Sequence, residues 1–222
     1  MQHLAVIFDV DGVLVDSYEP HFASWLRLLA EVGVPFEEPT FLTTFGRTNK
    51  DIFAQLCPGR FSDAEVAALG ERKEEYYREI AATSLKLIDG AAALVGRLAA
   101  AGFRVAIGSS GPPANVELAV ERLGIADCLG AIVTGADVVR GKPDPQVFLM
   151  AAERLGVPPE QCAVIEDAAA GVEAANRAGA KSIGLIGTTT RDKLAHAALV
   201  VDRLDELTPQ RIASLILEEN SR

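Results

Sequence analysis

The sequence has few residues of the kinds that bind soft metals or form disulfide bridges. Among its 222 residues are three cysteines and three histidines, with no CxxC or cysteine–histidine spacing of the kind found in zinc sites. Cys57, Cys128 and Cys162 lie far apart in the chain. We expect them to be small buried side chains in a reduced protein, which disfavours both a zinc centre and a disulfide scaffold.

Positive charge is also scarce. The chain has 21 lysines and arginines against 31 aspartates and glutamates, which gives a formal net charge of −10. A protein that binds nucleic acid independently of sequence needs clustered basic side chains, so we expect no nucleic-acid partner. Because the whole chain is acidic, any site for an anionic substrate must be positive locally.

The sequence lacks a long apolar run. Its most apolar long stretch, residues 91–108, contains Arg97 and Arg104 and is therefore not expected to span a membrane. The first residues carry no basic segment, and their apolar run stops at Asp9, which is unlike a secretory signal. We therefore predict a cytoplasmic protein with no membrane partner.

Short runs rich in Val, Ile and Leu are present instead. Each is too short for a helix and lacks strict alternation, which is typical of strands buried on both faces of a parallel sheet. Helical patterns lie between most of these runs, and several of them end at a glycine. The alternation predicts a Rossmann-like, doubly wound α/β sheet. The runs are Leu4–Phe8, Arg104–Gly108, Ala131–Thr134, Ala163–Ile165, Ser182–Ile186 and Ala198–Val201.

One region has no buried-strand run. From about Ser17 to Thr83 the apolar residues recur with helical periodicity. Ser62 and Glu65 have the spacing of a capping box, which predicts the start of a helix. We therefore predict a discontinuous α/β core domain, residues 1–16 and 84–222, with an all-helical cap domain inserted at residues 17–83.

Acidic pairs follow two of the predicted strands. Asp9 and Asp11 come after the first run, and Glu166 and Asp167 come after the fourth. Open α/β sheets bind ligands at the carboxyl ends of their strands, where buried acids would be costly to leave unpaired. Mg²⁺ is the simplest partner, because it binds carboxylates, water and phosphate oxygens. For any one of these acids taken alone, a helix cap or loop-start residue is the alternative.

Two further segments fit a phosphate site. Ser109 and Ser110 precede Gly111 after a predicted strand, where hydroxyl and backbone N–H groups can cradle a phosphate. Taken alone, this segment fits a plain turn or a helix N-cap at least as well. Lys142 lies in the loop GKPDP, which prolines stiffen, and taken alone it would be a solvated surface charge.

Taken in order, FDVDGVLVDS, a strand-end serine, GKPDP and IEDAAAG resemble the motifs of the haloacid dehalogenase (HAD) superfamily. The segment His21–Trp25 is similar to one in the helical cap of its beta-phosphoglucomutase-like branch. The resemblance implies a Mg²⁺-dependent hydrolase in which Asp9 is the nucleophile, forms an aspartyl-phosphate and binds the metal. It implies that Asp11 is the general acid and base, a role that suits phosphate rather than halide chemistry.

The resemblance also assigns the remaining site residues. Ser109 and Lys142 bind the transferring phosphoryl group, and Ser110, beside Ser109, stays a phosphate-binding candidate from the turn itself. The backbone carbonyl of Asp11 is a second protein ligand for Mg²⁺. Asp167 is a further metal ligand, and Glu166 supports the metal directly or through water.

The chain departs from the phosphoglucomutases at positions that hold their second phosphate. The serine and lysine that follow the phosphate-binding serine in those enzymes are Gly111 and Pro112 here, and a cap arginine is Asn49. Glycine and proline offer no side-chain hydrogen bond. We therefore predict a phosphatase acting on a small phosphorylated metabolite such as a sugar phosphate, with a beta-phosphoglucomutase-type isomerase as the alternative.

The cap supplies three candidate substrate contacts, His21, Arg47 and Lys50. The alternative is a packed or half-exposed side chain for His21 and solvated charges for the other two. A helical cap of this size needs no second subunit to shield a site, so we expect a monomer.

Overall fold

The computed structural model describes residues 3–44 and 48–218. The chain forms two compact units, one of Met1–Val15 with Leu87–Arg222 and one of Asp16–Lys86. The boundaries predicted from the sequence, 16/17 and 83/84, differ from these by one and three residues respectively. We refer to the two parts as the α/β unit and the helical unit.

Each of the six predicted apolar runs forms a strand, and two short strands that the runs did not predict, Val15–Asp16 and Lys86–Leu87, are also present. In chain order they are β1 (Ala5–Phe8), β2 (Val15–Asp16), β3 (Lys86–Leu87), β4 (Arg104–Gly108), β5 (Ala131–Val133), β6 (Cys162–Glu166), β7 (Lys181–Leu185) and β8 (Leu199–Val201). Six of them make one sheet in the order β5-β4-β1-β6-β7-β8, and all its pairings are parallel. The short β2 and β3 form a separate two-stranded sheet. The predicted doubly wound α/β core is confirmed.

The topology decides where a ligand can bind. From β1 the chain passes to β4 and β5 on one side and then returns to β6 on the other side. The strand order therefore reverses at β1, and the crevice at such a reversal is the usual ligand site of an open α/β sheet. Residues of β1 are 0–1% exposed, so this strand lies at the centre of the fold.

Helices complete the α/β unit. They are α5 (Ala91–Ala100), α6 (Pro113–Leu123), α7 (Gln146–Leu155), α8 (Ala169–Ala178) and α9 (Pro209–Leu217), with short 3₁₀ helices at Ala126–Cys128, Pro159–Gln161, Arg191–Leu194 and Leu204–Glu206. Glycines in the left-handed conformation end α6, α7 and α8, as the sequence predicts. One core cluster joins α7 and α8 to the sheet through Ile7, Ala106, Val133, Phe148, Val164 and Ala174.

The described part of the helical unit contains no strand from Ser17 to Ser84. Its helices are α1 (Tyr18–Glu31), α2 (Glu38–Thr44), α3 (Asn49–Leu56) and α4 (Asp63–Ser84). The predicted capping box begins α4, with Ser62 N–H donating to Glu65 Oε2 at 2.8 Å and Glu65 N–H donating to Ser62 Oγ at 3.4 Å. The core of this unit is aromatic, with Trp25 and Phe53 in edge contact.

Two further sequence predictions concern membrane-spanning helices and cysteines. Within the described ranges, no helix combines the length and apolar character needed to cross a bilayer. All three cysteines are free thiols; Cys57 and Cys162 are buried as expected, but Cys128 is half-buried. The expectation of three buried cysteines is therefore wrong for Cys128, which lies in a short 3₁₀ helix that has no fully buried residue.

Candidate active site

The first strand carries Asp9 to the carboxyl edge of the sheet. The Asp9 N–H donates to the carbonyl of Ile165 at 3.0 Å, which continues the parallel ladder one residue beyond β1. Asp9 itself is buried, with 8% of its surface exposed. The ladder therefore fixes the Asp9 carboxylate beside the end of β6.

A tight turn after Asp9 depends on Gly12. The Gly12 N–H donates to Val15 O at 2.8 Å, and its φ is +76°, where an L side chain is strained. A Cβ built on Gly12 would lie 2.0 Å from Asp167 Oδ2. Glycine is therefore needed both for the turn and for the close approach of Asp167. The turn leaves Asp11 half-buried.

Lys142 reaches the same edge from the loop between β5 and α7. Its Nζ lies 2.9 Å from Asp9 Oδ1 and 2.6 Å from Glu166 Oε1. The loop is held in place by the side chain of Gln146, whose Oε1 accepts the N–H groups of Val139 and Arg140 at 3.0 and 3.1 Å. Lys142 is thus a buried ammonium between two carboxylates, not the solvated charge that a loop lysine alone would suggest.

Both carboxylate oxygens of Glu166 accept hydrogen bonds. Its Oε1 accepts from Lys142, and its Oε2 accepts the backbone N–H groups of Asp167 and Ala168, both at 3.0 Å. A Cβ on Gly171 would lie 1.8 Å from Glu166 Oε1, so the glycine in α8 makes room for this carboxylate. The residue is 0% exposed. These contacts make Glu166 a rigid support at the end of β6.

Asp9, Glu166 and Asp167 each place one carboxylate oxygen within 4.8 Å of the others. We call these three residues and Lys142 the strand-end cluster. Burial raises the pKa of Asp9 to about 7; Lys142 opposes the rise, and Glu166 and Asp11 add to it. Burial, then Glu166 and Asp9, raise the pKa of Asp167 well above its usual range. Three carboxylates against one ammonium leave the cluster with an excess of acid.

The donor set of the cluster fits a hard divalent cation. Its ligand atoms are carboxylate oxygens, with no thiol or imidazole among the three grouped residues. Mg²⁺ binds through such oxygens together with water and substrate phosphate. A cation would also offset the excess negative charge. Asp11 stands outside the grouped carboxylates, and its predicted ligand atom, the backbone carbonyl, remains a prediction.

The serine turn after β4 lies beside Asp11. The N–H of Ser109 donates to Val133 O at 3.0 Å, and its Oγ accepts the N–H of Gly111 at 3.0 Å. A Cβ on Gly111 would lie 3.3 Å from Ser109 Oγ and 3.8 Å from Asp11 Oδ2, so both oxygens border Gly111. Ser110 is exposed, in contrast to the buried Ser109. The phosphate-binding roles of both serines remain predictions.

The helical unit contains a second cluster of polar side chains, built around the buried Lys73 and Glu74. Lys73 Nζ lies 2.7 Å from His21 Nδ1 and 3.0 Å from Glu74 Oε1, and Asn49 Nδ2 donates to the same glutamate oxygen at 2.9 Å. The His21 ring stacks on Tyr77 with 4.1 Å between ring centres. Burial alone would raise the pKa of Glu74, but Lys73 and then His21 bring it below its usual value. We call His21, Asn49, Lys73 and Glu74 the helical-unit cluster.

The structure shows less about the other two predicted substrate contacts of the cap, Lys50 and Arg47. Lys50 is exposed in α3. Arg47 lies outside the described residues. The substrate-binding roles proposed for these two residues and for His21 remain predictions.

Sequence reasoning missed three polar residues. The hydroxyl of Thr188, in the loop after β7, donates to Asp167 Oδ2. Its place after a strand of the parallel sheet is a signal that could have found it. Lys73 and Glu74 belong to a charged run in α4 that is typical of a solvent-facing surface, yet their side chains are only 2% and 10% exposed. No local pattern separates them from the exposed charges nearby.

Named proteins resemble this chain over most of its length. A family model described as haloacid dehalogenase-like hydrolase matches residues 3–179. Validoxylamine A 7'-phosphate phosphatase from Streptomyces hygroscopicus subsp. limoneus is 33% identical over 208 residues, which cover 90% of this chain and 94% of that protein. Beta-phosphoglucomutase from Bacillus subtilis (strain 168) is 32% identical over 211 residues, which cover 92% and 91% of the two chains.

A solved structure is similar over the full length. The crystal structure of beta-phosphoglucomutase from Clostridium difficile matches with a TM-score of 0.89 at 27% identity, covering 100% of both chains. Together, these matches confirm the resemblance predicted from the sequence motifs.

Proposed function

Because the chain belongs to the haloacid dehalogenase-like hydrolase family, in its beta-phosphoglucomutase-like branch, we propose that it is a Mg²⁺-dependent phosphatase that acts through an aspartyl-phosphate on Asp9. The proposed substrates are small phosphorylated metabolites of the sugar-phosphate kind. One relative is named as a phosphatase of validoxylamine A 7'-phosphate, and another is named as a beta-phosphoglucomutase. Both names refer to small phosphorylated compounds, which supports this substrate class.

The observation that carries the proposal is the strand-end cluster. Asp9 is held beside Glu166 and Asp167, and Lys142 bridges Asp9 and Glu166. A carboxylate that attacks a phosphate dianion meets charge repulsion, which nearby cations must offset. Lys142 supplies one such cation at 2.9 Å from the proposed nucleophile.

In the first proposed step, a carboxylate oxygen of Asp9 attacks the phosphorus atom of the substrate. The new bond joins this oxygen to phosphorus, and the bond from phosphorus to the ester oxygen breaks. Asp11 donates its proton to that ester oxygen, so the alcohol leaves neutral. Lys142 and Ser109 hold the phosphoryl oxygens during the transfer. A positioned acid of this kind contributes about 10²–10⁴ in rate.

In the second proposed step, the ionised Asp11 takes a proton from a water molecule. The oxygen of this water attacks the phosphorus atom of the aspartyl-phosphate, and the bond to Asp9 breaks. Inorganic phosphate is released, Asp9 is restored as a carboxylate and Asp11 is protonated again. Asp9, Asp167 and the Asp11 carbonyl would hold Mg²⁺, with Glu166 supporting it directly or through water, and the cation would supply the charge neutralisation that phosphoryl transfer requires.

Contacts inside the helical unit favour hydrolysis over isomerisation. Asn49 stands at the position of the mutase cap arginine, and its amide lies 2.9 Å from the Glu74 carboxylate. The lowered pKa of Glu74 keeps this group ionised at neutral pH. The Asn49 amide is therefore already bonded to a carboxylate, and it carries no positive charge of the kind that an arginine would offer a second phosphate. Gly111 and Pro112, which stand where the mutases have a serine and a lysine, have no side-chain donor for a phosphate.

The proposal also includes the substrate contacts, the localisation and the oligomeric state predicted from the sequence. His21, Arg47 and Lys50 are proposed to contact the part of the substrate that is not transferred. We further propose a cytoplasmic monomer that needs no nucleic-acid partner. Size-exclusion chromatography with light scattering measures the oligomeric state directly.

The decisive experiment combines a phosphometabolite panel with two variants. Purified protein with Mg²⁺ is expected to release inorganic phosphate from at least one sugar phosphate, and chelation should stop the reaction. Asp9→Asn should lower kcat by at least about 10³-fold, because it removes the nucleophile. Asp127→Asn, an exposed acid in a 3₁₀ helix, is the matched control and should retain activity.

The panel also tests the isomerase alternative. It includes beta-glucose 1-phosphate with a bisphosphate primer. Conversion to glucose 6-phosphate without release of phosphate would reject the phosphatase in favour of the mutase. Full turnover by Asp9→Asn would reject the proposed nucleophile under either activity.

A further inference from the structure

Thr188 contacts the candidate metal site from outside the sequence motifs. It lies in the loop after β7, which pairs with β6 so that Glu166 faces Gly184. The Thr188 hydroxyl donates a hydrogen bond to Asp167 Oδ2. The residue also lies beyond residues 3–179, the part of the chain that the family model matches. Its role is therefore not implied by the motifs that identified the site.

The two branches of the threonine side chain have different neighbours. The Cγ2 methyl lies 3.0 Å from the position that a Cβ would take on Gly12, so it lies against the turn after β1. The Oγ1 hydroxyl lies against Asp167. Because branching at Cβ restricts χ1, the methyl contact with Gly12 also fixes the direction of the hydroxyl.

The Asp167 carboxylate is enclosed by these contacts. The residue is 4% exposed, and the backbone of Gly12 approaches it so closely that a Cβ there would lie 2.0 Å from Oδ2. The terminal torsion of an aspartate is broad, so burial alone does not define where its oxygens point. A hydrogen bond to Oδ2 defines the rotation of the group, and with it the direction of Oδ1.

We propose that Thr188 is a positioning residue that holds the Asp167 carboxylate in the orientation needed to bind Mg²⁺. The proposal rests on the Mg²⁺ role proposed above for the strand-end cluster. Partners that orient metal ligands typically change metal affinity or activity by about 10–100-fold when they are removed. We therefore expect Thr188 to affect metal affinity more than affinity for the phosphate ester.

The test is direct calorimetric titration of Mg²⁺ into the purified protein and three variants. Thr188→Val keeps the branched shape and removes the hydroxyl, and it should bind Mg²⁺ about 10-fold more weakly. Thr188→Ser keeps the hydroxyl and should stay within about threefold of the wild type. Thr189→Val, a change of the same chemistry at the next position, should bind Mg²⁺ as the wild type does.

Kinetics give a second readout. With p-nitrophenyl phosphate as substrate, Thr188→Val should raise the Mg²⁺ concentration for half-maximal rate about 10-fold. The KM for the ester at saturating Mg²⁺ should change little. Thermal unfolding without metal checks that each variant is folded.

Three outcomes would overturn the proposal. Mg²⁺ binding by Thr188→Val equal to the wild type would show that the hydroxyl does not position the ligand. Tighter binding would show that Thr188 competes with the metal for Asp167. No Mg²⁺ binding by the wild type would remove the site itself. Mg²⁺ binding without release of phosphate from any ester would instead reject the proposed function and still test Thr188.

Discussion

Each unit of the molecule buries a lysine against carboxylates, but the two clusters differ in their charge balance. In the helical-unit cluster, Lys73 faces one glutamate, and Glu74 also accepts the Asn49 amide. The pKa of Glu74 falls below its usual value, because Lys73 and His21 more than compensate for burial. This cluster is therefore complete without any further ion.

In the strand-end cluster, one lysine faces three acids. Lys142 bridges Asp9 and Glu166, and Asp167 lies in the same group of carboxylates. Burial raises the pKa of Asp9 and of Asp167, and Lys142 does not reverse either shift. The two clusters show that the carboxylates around a buried lysine can match its charge or exceed it. An unbalanced excess of buried carboxylates is what calls for an added cation.

Among the changes that distinguish the two clusters, the largest effect is expected from removing the ammonium of each. Lys142→Met should lower kcat/KM for p-nitrophenyl phosphate by about 10²–10³-fold, because it removes the cation that lies 2.9 Å from Asp9, the proposed nucleophile. Lys73→Met is the matched change in the helical unit. It leaves Glu74 unpaired and should lower the free energy of unfolding by about 3–5 kcal/mol, measured by urea denaturation. If Lys73→Met lost as much turnover as Lys142→Met, the conclusion that the two buried lysines have different roles would be wrong.

Mg²⁺ should stabilise the protein through only one of the clusters. At a concentration about 100 times its Kd, Mg²⁺ should raise the free energy of unfolding by about 2.7 kcal/mol, since it binds only the folded chain. Calorimetric unfolding with and without Mg²⁺ measures this effect. Asp167→Asn should lose most of the stabilisation, whereas Glu74→Gln should keep it. A Glu74→Gln protein that no longer responds to Mg²⁺ would contradict the assignment.

The pH should change metal binding in a defined direction. With the pKa of Asp9 at about 7 in the metal-free protein, a proton competes with Mg²⁺ below that pH. Calorimetric titrations from pH 8 to pH 5.5 should show affinity falling by up to about tenfold per pH unit below 7. Wild-type affinity that does not change across this range would contradict the raised pKa of Asp9.

The same pKa shift predicts the pH dependence of stability. The pKa of Asp9 is raised from 3.8 to about 7, so between these values the folded chain holds a proton that the unfolded chain has lost. The metal-free protein should therefore become less stable as the pH rises through this window. Asp9→Asn should remove that part of the pH dependence. Glu74 behaves in the opposite sense, since its contribution is lost only as the pH falls through its lowered pKa.

The smallest expected effect concerns Asn49. Its amide donates to the Glu74 carboxylate at 2.9 Å, and a hydrogen bond to a charged group contributes about 1.5 kcal/mol or more. Asn49→Ala should lower the free energy of unfolding by about that amount and leave Mg²⁺ binding unchanged. In a Glu74→Gln background the same change should cost less, because the charged partner is gone. Equal costs in both backgrounds would show that the contact contributes little.

Much of the fold could be predicted because its signals are local. A strand buried on both faces must be apolar at every position, so each of the six sheet strands appears as a short apolar run. The helical unit lacks such runs and shows helical periodicity instead, with the Ser62–Glu65 cap at the start of α4. Asp9, Glu166 and Asp167 were found because acids at the ends of such strands are unusual and meet at one edge of the sheet.

Other features of the site could not be predicted from local pattern. The pairing of Lys142 with Asp9 and Glu166 joins segments that are distant in the chain, and a loop lysine by itself suggests only a solvated charge. The burial of Lys73 and Glu74 depends on the packing around α4, whose sequence there is a run of charges. The contact of Thr188 with Asp167 depends on how the loop after β7 lies against Gly12.

The sequence by itself determined the parallel α/β core, the helical insertion, the family and the acids at the strand ends. Only the tertiary structure decided which side chains contact those acids. It placed Lys142 between Asp9 and Glu166 and set the Thr188 hydroxyl against Asp167. The physical reason is that strand burial is recorded in consecutive residues, whereas the partner of a buried charge comes from whichever segment the fold brings beside it.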